Sequence, residues 1–286
     1  MKLAVFDIGG TTVKTGTFVD GKLTNLSSFQ TPKTLGDLFE QMHRFIDGND
    51  IQGIALSAPG DVDCEKGEIK GFSAVPYLHK RPIFAEIKAE FGLPVAIEND
   101  ANCAGIGEMK VGSGKNFKNV AFIVIGTGIG GAIFFDGKLY RGTHLTGGEF
   151  GFMTTASGKL FAQDGTVVNA TKSYQAETGK QIDGKMLFSL ANQGDKTAQK
   201  LINHVYDVLA EAITNLQVAF DFDAFILGGG VSARADLAIE VSKRVKARLS
   251  RFQLNEIMPA IKNCQQHNAA NLYGAAYNFL AGNNNA

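Results

Sequence analysis

Residues 4–23 read AVFDIGGTTVKTGTFVDGKL and residues 121–139 read AFIVIGTGIGGAIFFDGKL, so the chain carries one pattern twice. Each copy consists of an apolar run, a turn of glycine and threonine, a second apolar run and an Asp-Gly-Lys-Leu exit. Asp-Gly between alternating apolar runs is a strong hairpin signal, so each copy predicts two successive hairpin turns. An internal repeat at this separation predicts two similar half-structures.

The two glycine and threonine turns are predicted phosphate-binding sites, because such turns expose backbone N–H groups that suit phosphate oxygens. The second turn formally matches G-x-G-x-x-G, but it leads into the β-rich run 132–135 and not into a helix, which argues against a dinucleotide-binding turn. Neither copy contains the Walker-type G-x-x-x-x-G-K-[ST]. One copy alone is explained equally well by the need for a tight turn, whereas two copies favour a phosphate clamp.

Composition favours an intracellular protein with a small substrate. The 286 residues are 44% hydrophobic, which is enough for two domains, and Lys+Arg and Asp+Glu both total 28. The balanced charge argues against nucleic acid and anionic membrane as partners. Cys64, Cys103 and Cys264 lack C-x-x-C spacing, which fits a reducing compartment. A signal-peptide pattern is missing and the uncharged stretch 119–135 is short and broken by glycines, so we expect a cytoplasmic location.

The hydrophobic pattern predicts strands alternating with helices. The glycine-rich segment 112–116 predicts a boundary between a small domain, 1–115, and a larger one, 116–286. The stretch from 142 to about 171 is predicted to be rich in loops, and the polar tail 282–285 to be disordered. Helical patterns cover 35–46, 82–91, 101–111, 197–220, 235–252 and 269–280, the last of which can pack back on the first domain, and strands are predicted at 53–56, 93–97 and 223–227.

Asn99 and Asp100 stand at the carboxyl end of a predicted strand, where open α/β sheets place their ligand crevice. A carboxylate beside bound phosphates can accept the proton of an attacking hydroxyl, as phosphoryl transfer to a sugar requires. Asp100 is also well placed to cap the following helix, which without other evidence is the commoner reason for an Asp there. The two roles can coexist.

Further polar and glycine residues adjoin the predicted turns. Asp7 directly precedes the first turn and can either hold Mg²⁺ through water or cap the turn. Lys14 can meet a phosphate, although a solvated strand lysine is commoner, and Glu149 in GGEFG is a surface turn residue as often as a ligand. The glycines 228–230 join a buried strand to a helix predicted near Ser232, and three glycines fit the close approach of a flat ring better than a bare turn does.

Six motifs occur in order over nearly the whole chain and together resemble the ROK family of sugar kinases, within the actin-like ATPase and hexokinase superfamily. They are DIGGTTVK from residue 7, APGDVD from 58, ENDANCAGIGE from 98, IGTGIGGAIF from 125, GGEFG from 147 and ILGGGVS from 226.

The resemblance implies an α/β actin-like ATPase or hexokinase-type duplicated fold, with two domains around a cleft, and an ATP- and Mg²⁺-dependent enzyme that is a homodimer. It implies that Asp100 is the catalytic base. The expected sugar-binding residues are Gly60, Asn99, Asp100 and Glu149; the expected ATP-binding residues are Asp7, Gly9, Gly10, Thr11, Thr12, Lys14, Gly126, Thr127, Gly128 and Gly130 at the phosphates and Gly228, Gly229 and Gly230 at the adenosine.

One departure from the family pattern bears on the substrate. Most members carry a His three residues after the Glu of GGEFG and then C-x-C-G-x-x-G-C-x-E, whose Cys and His hold zinc while the His and the last Glu touch the sugar near its reducing carbon. Here Phe152 takes the His position and residues 153–171 contain no cysteine, so we expect no zinc site. In this respect the chain looks most like the zinc-free β-glucoside kinases.

Loss of these groups should leave room for a substituent at the anomeric carbon, which favours a glycoside or disaccharide phosphorylated at its 6-hydroxyl. Phe150 and Phe152 would offer a wall for the second ring, or serve as ordinary core. N-acetylmannosamine kinase, glucokinase or fructokinase activity, and a sugar sensor that has lost catalysis, are the alternatives. We expect no ROK-type repressor, since that would need a helix-turn-helix ahead of the first strand.

Overall fold

The computed structural model describes residues 1–283, so part of the tail predicted to be disordered lies outside the described residues. The chain packs as two compact units. Of the described residues, the first unit contains 1–115, 142–146 and 268–283, and the second contains 116–141 and 147–267. The sequence-based division at residue 115 places 142–146 and 268–283 in the second domain, whereas in the structure both segments pack with the first unit.

Each unit is built on a five-stranded sheet, and the two sheets have the same topology, β3-β2-β1-β4-β7 and β10-β9-β8-β11-β12. In both sheets the first three strands form two antiparallel hairpins, and two further strands extend the sheet in parallel with the first strand. The duplicated α/β architecture predicted from the repeat is confirmed. The strands are β1 (Lys2–Ile8), β2 (Thr12–Val19), β3 (Lys22–Gln30), β4 (Gly53–Ala58), β5 (Asp61–Asp63), β6 (Glu68–Lys70), β7 (Val95–Asn99), β8 (Val120–Ile125), β9 (Ile129–Phe135), β10 (Lys138–Tyr140), β11 (Ala224–Gly228) and β12 (Ala260–Asn263).

The Asp-Gly pairs form the second hairpin turn of each copy, as the sequence predicts. Asp20 and Asp136 have φ of 49° and 50°, and Gly21 and Gly137 have φ of 80° and 74°. Two successive residues in the left-handed region match the right-handed twist of the flanking strands, and Asp followed by Gly tolerates that conformation well.

Helices cover the predicted segments to within three residues at each end, but the stretch predicted to be rich in loops contains two. Most of that stretch is irregular, and its helical residues, 161–164 and 167–171, gave no clear signal because the helix from 167 to 178 buries only Ala170 and Tyr174. The helices are α1 (Leu35–Ile46), α2 (Ile83–Phe91), α3 (Asp100–Val111), α4 (Phe161–Asp164), α5 (Val167–Thr178), α6 (Gly184–Asn192), α7 (Lys196–Phe220), α8 (Asp236–Arg251) and α9 (Ala270–Asn283).

In the first unit the sheet is covered on both faces. One face packs against α1 and α2, and the other packs against α9. Helix α9 also lies directly on α3 at two glycines: a Cβ at Gly274 would overlap the carbonyl of Cys103, and a Cβ at Gly107 would overlap the carbonyl of Ala270. These contacts set the first residue of α9 against the second half of α3, and the second turn of α9 against the first half of α3.

In the second unit α7 is the central helix and buries a stripe from Ala198 to Gln217. Helix α8 packs through Leu237, Val241, Val245 and Leu249, all fully buried, at the i, i+4 spacing that the sequence shows. None of the helices in the described part of the chain combines the length and apolarity that crossing a bilayer requires.

Candidate active site

Asp100 is the first residue of α3, and Asn99 is the residue that caps this helix. The Asn99 side chain accepts a hydrogen bond from the backbone N–H of Asn102 at 3.1 Å. The prediction that Asp100 caps the helix was therefore wrong, because the helix begins at Asp100 itself, one residue earlier than a cap at Asp100 would require. The carboxylate of Asp100 accepts from the backbone N–H of Ala101 at 2.8 Å.

The environment of Asp100 favours its protonated form. Burial and, to a smaller extent, the negative charge of Asp7 raise the pKa of this carboxyl to about 6, against the opposing effect of the hydrogen bond from Ala101. A carboxyl that titrates at about 6 is ionised at neutral pH and is still a stronger base than an ordinary Asp, which is what general base catalysis needs.

Gly60 fixes the orientation of Asn99. Its carbonyl accepts from Asn99 Nδ2 at 3.1 Å, and it has a φ of 107°, which only glycine adopts readily. A Cβ there would lie 2.6 Å from the ring of His79. Asn99 keeps one amide hydrogen and one lone pair beyond these two bonds, so its side chain can still meet a sugar hydroxyl.

Asp7, at the carboxyl end of β1, is held by three donors. Its Oδ1 accepts from Ser57 Oγ at 2.8 Å and from Asn271 Nδ2 at 3.1 Å, and its Oδ2 lies 3.4 Å from Lys14 Nζ. Sequence reasoning missed Ser57 and Asn271. Ser57 stands beside a quoted motif at the end of β4, so its position could have been found, whereas Asn271 is 264 residues from Asp7 and gave no signal.

The carboxylate of Asp7 fits Mg²⁺ held through water, because its Oδ2 has only the long 3.4 Å contact with Lys14 and keeps lone pairs for a metal-bound water. Within residues 1–283 there is no group of three or more His, Cys, Asp or Glu side chains that could hold a metal ion. Magnesium in phosphoryl transfer is usually bound by one or two carboxylates, by waters and by the nucleotide phosphates, so it needs no such group. Asp7 would therefore be its protein contact, and the ion would neutralise charge on the transferring phosphate.

The first glycine turn joins β1 to β2 and is closed by a hydrogen bond from Gly9 N–H to the Thr12 carbonyl at 3.1 Å. Thr31 holds its carbonyls: Thr31 Oγ1 donates to Gly9 O at 2.6 Å and the Thr31 N–H donates to Thr11 O at 3.0 Å. Gly10, Thr11 and Thr12 are exposed. With its carbonyls turned towards Thr31, the turn is suited to an anion.

The second glycine turn joins β8 to β9 and is one residue tighter than the first. Gly126 N–H donates to the carbonyl of Gly128 at 2.9 Å, and Gly126 and Thr127 are exposed. Gly128 and Gly130 are partly exposed. Gly131 is buried, and a Cβ there would lie 2.5 Å from the Phe150 ring, so this last glycine serves packing.

The three glycines at the end of β11, Gly228, Gly229 and Gly230, are explained by different features of the structure. A Cβ at Gly228 would lie 2.6 Å from the Phe122 ring, and a Cβ at Gly229, whose φ is 83°, would overlap the carbonyl of Ile125. Packing against β8 thus accounts for both without a ligand. Gly230 is exposed and a Cβ there would meet no atom within 4 Å, so it alone leaves open space for a flat ring.

Glu149 belongs to the second unit and directly precedes a short 3₁₀ turn, Phe150–Phe152. Its side chain is exposed. The two phenylalanines differ: Phe150 is 4% exposed and packs in the core against Gly131, whereas Phe152 is 73% exposed. The proposed apolar wall for a second sugar ring therefore reduces to Phe152.

Hydrogen bonds to Asp164 hold the cysteine-free segment 153–171. Asp164 Oδ2 accepts from Thr155 Oγ1 at 3.0 Å and from Ser157 Oγ at 2.8 Å, and Asp164 Oδ1 lies 2.8 Å from His204 Nε2. Burial opposes the charged carboxylate, yet the bonds from His204, Ser157 and Thr155 hold its pKa below the ordinary value. A protein-only cluster thus fixes this loop.

The ROK family matches residues 3–281. The chain belongs to the ROK family. A β-glucoside kinase from Listeria innocua is 35% identical to this ROK protein over 98% of both chains. The family assignment made from the six motifs is confirmed.

Solved structures agree on the fold. A ROK family protein from Streptococcus pneumoniae TIGR4 in complex with sucrose has a TM-score of 0.94 at 35% identity, with both chains fully covered. A putative N-acetylmannosamine kinase from Listeria monocytogenes has a TM-score of 0.88 at 33% identity, covering 99% of this chain and 100% of that one. A Streptomyces griseus ROK glucokinase in complex with glucose and AMPPNP has a TM-score of 0.77 at 26% identity, covering 97% and 98%. This ROK protein has the actin-like, hexokinase-type fold.

Proposed function

We propose that this protein phosphorylates the 6-hydroxyl of a β-glucoside or glucose-containing disaccharide with ATP. That it is an ATP-dependent sugar kinase follows from its family and from the sugar kinases that it resembles over its whole length. The observation that carries the catalytic proposal is the carboxyl of Asp100, which stands at the start of α3 and has a pKa of about 6.

In this proposal each group has a defined role. Asp100 accepts the proton of the sugar hydroxyl as that hydroxyl attacks the γ-phosphoryl group. Asn99, with Gly60 and Glu149, orients the sugar ring. The turns Gly9–Thr12 and Gly126–Gly130 bind ATP phosphates through backbone N–H groups, Lys14 adds positive charge, and Gly230, with Gly228 and Gly229 as its support, leaves room for the adenosine. Asp7 holds Mg²⁺ through water.

Three observations support a glycoside over a free hexose. The segment 153–171 has no cysteine, so the family's zinc set, whose His and Glu would meet a free anomeric hydroxyl, is not built here. Phe152 is exposed at the His position. A relative that is 35% identical is a β-glucoside kinase, and the similar Streptococcus pneumoniae protein binds sucrose, a disaccharide. An apolar side chain tolerates a glycosidic oxygen that polar groups built for a hydroxyl would reject.

N-acetylmannosamine kinase is the second candidate. A putative enzyme of that name from Listeria monocytogenes has a similar fold and is 33% identical to this chain. An N-acetyl group at carbon 2 would lie elsewhere on the ring than a glycosidic substituent, so the two proposals predict different substrates.

A coupled assay of ADP release tests the proposal, with glucose, fructose, N-acetylmannosamine, cellobiose and gentiobiose each supplied at several concentrations. Turnover with cellobiose or gentiobiose above that with every free sugar is the expected result. Turnover with N-acetylmannosamine alone would move the assignment to the second candidate. Sugar binding without ADP release would identify a sensor.

We also propose a cytoplasmic homodimer that acts on small molecules and binds neither nucleic acid nor membrane. The balanced charge of 28 basic and 28 acidic residues supports the absence of polyanionic partners. Three cysteines without disulfide spacing fit the reducing compartment that also supplies ATP.

A further inference from the structure

Asn271 lies in the first turn of α9 and connects three segments of the first unit. Its Nδ2 is 3.1 Å from Asp7 Oδ1 at the end of β1, 3.1 Å from Ser57 Oγ at the end of β4, and 3.1 Å from the carbonyl of Asp100 at the start of α3. The two amide hydrogens are shared among these three oxygens.

This arrangement differs from the usual role of such a residue. A side chain near a helix start commonly accepts a hydrogen bond from its own helix. The nitrogen of Asn271 donates instead to oxygens of three other elements. Two of these oxygens belong to the proposed Mg²⁺ contact and the proposed base, so the amide fixes Asp7 and the backbone of Asp100 relative to each other.

Neighbouring contacts make the placement of Asn271 specific. Ser57 is fully buried and donates to the same Asp7 oxygen at 2.8 Å, so the Ser57 hydroxyl and the Asn271 amide both hydrogen-bond to one carboxylate oxygen. The carbonyl of Ala270, the preceding residue, lies against Gly107, which fixes the backbone on which Asn271 stands. Asp7 is 8% exposed, and a carboxylate with so little solvent depends on its protein donors for its orientation.

We propose that Asn271 is a positioning residue for phosphoryl transfer, acting through Asp7 and the main chain of Asp100. It rests on the proposed function, because its partners are the base and the Mg²⁺ contact assigned there. The amide fixes the orientation of the Asp7 carboxylate, which would hold Mg²⁺ through water, and holds the start of α3. Its loss should therefore affect catalysis and Mg²⁺-dependent nucleotide binding more than sugar affinity.

The test compares Asn271→Ala, Asn271→Asp and the control Asn278→Ala, which removes the same amide from the same helix about 10 Å farther along its axis. We expect kcat to fall about 10–100-fold in Asn271→Ala while KM for the sugar stays within about threefold. Asn271→Asp keeps the shape of the side chain but places a hydrogen-bond acceptor against Asp7, so its kcat should fall at least as much as that of Asn271→Ala. Asn278→Ala should keep the kcat of the unmodified protein.

A binding measurement gives a readout that does not depend on turnover. Methylanthraniloyl-labelled ADP is titrated into each variant with and without Mg²⁺, and melting temperatures are recorded alongside. The gain in affinity that Mg²⁺ gives should shrink about tenfold or more in Asn271→Ala, with binding of the metal-free nucleotide unchanged. A lowered melting temperature with kcat and the Mg²⁺ effect both retained would show a purely structural residue and overturn the proposal.

A double-mutant cycle that combines Asn271→Ala with Ser57→Ala decides whether Asn271 and Ser57 act through the same oxygen of Asp7. The double variant should lose little more kcat than Asn271→Ala alone, whereas losses that multiply would contradict a shared action on Asp7. Failure of the proposed function can be distinguished from failure of the proposal for Asn271. In the first case the unmodified protein would turn over no sugar, and the effect of Mg²⁺ on nucleotide binding could still be compared between the variants.

Discussion

Asp7 and Asp100 share one donor, since Asn271 Nδ2 lies 3.1 Å from both Asp7 Oδ1 and the Asp100 carbonyl. The two carboxylates are also linked electrostatically. Burial raises the pKa of Asp100, and the negative charge of Asp7 contributes to its value of about 6. The proton affinity of the proposed base therefore depends on the charge held beside it.

The pH dependence of activity follows from this pKa. A general base must be ionised, so kcat/KM should fall as pH drops through about 6, with a slope of one on the acid limb. The measurement is kcat/KM for the best sugar between pH 5 and pH 8, at saturating MgATP. An acid limb centred near pH 4, the range of an unperturbed Asp, would contradict the assigned environment of Asp100.

Asp100→Asn should lose activity and gain stability. The amide cannot accept the proton, so kcat should fall at least about 100-fold while sugar binding largely survives. The folded pKa is raised above the ordinary 3.8, so ionisation destabilises the fold increasingly from about pH 4 to pH 6 and fully above that.

Removing the charge should therefore raise the unfolding free energy at pH 8 by up to about 3 kcal/mol and leave it unchanged at pH 3.5. Thermal unfolding of both proteins at the two pH values measures this. Retention of most of the kcat would refute the base assignment, and equal stability at pH 8 would refute the buried environment.

The contact between α3 and α9 gives a prediction about packing. Gly274→Ala places a methyl group against the carbonyl of Cys103 and should cost about 1–3 kcal/mol of stability. Gly282→Ala is the matched control on the same helix, where a Cβ would meet nothing within 4 Å, and it should be neutral or stabilising. Chemical denaturation compares the two, and equal effects would mean that the close helix contact is not formed.

The protein should contain no stoichiometric zinc, and a strong chelator should not inhibit it once Mg²⁺ is restored. Phe152 and the segment 153–171 without cysteine motivate this, and the bonds to Asp164 supply an alternative way to hold the loop. Elemental analysis of protein purified without added metal is the measurement. One zinc per chain would overturn the prediction.

Local patterns were enough to predict much of the architecture. The repeated hairpins, the Asp-Gly turns and helices such as α1 follow from short-range rules of turn chemistry and apolar spacing, and the structure places them where the sequence indicates. The strand that ends at Asn99 predicted the position of Asp100 at the sheet edge, although not that Asn99 caps the helix. Helix α6 begins with Asp183 as a cap and could have been predicted from that signal.

What could not be predicted depends on distant contacts. Asn271 meets Asp7 across 264 positions, and Thr31 holds the first turn from the far end of β3. Nothing in the neighbouring sequence of either residue indicates these partners. The glycines at 228 and 229 are a further example: their packing against Phe122 and Ile125 comes from residues about 100 positions away, and the local sequence does not indicate it.

The most direct test of the account is the ratio of kcat/KM for cellobiose to kcat/KM for glucose, measured with saturating MgATP and with the phosphorylated product identified by NMR. We predict a ratio above one, with phosphate on the 6-hydroxyl of the non-reducing glucose, because the exposed Phe152 takes the sequence position of the His that in most family members touches the sugar near its reducing carbon. A higher kcat/KM for N-acetylmannosamine or any free hexose than for every glycoside would contradict it.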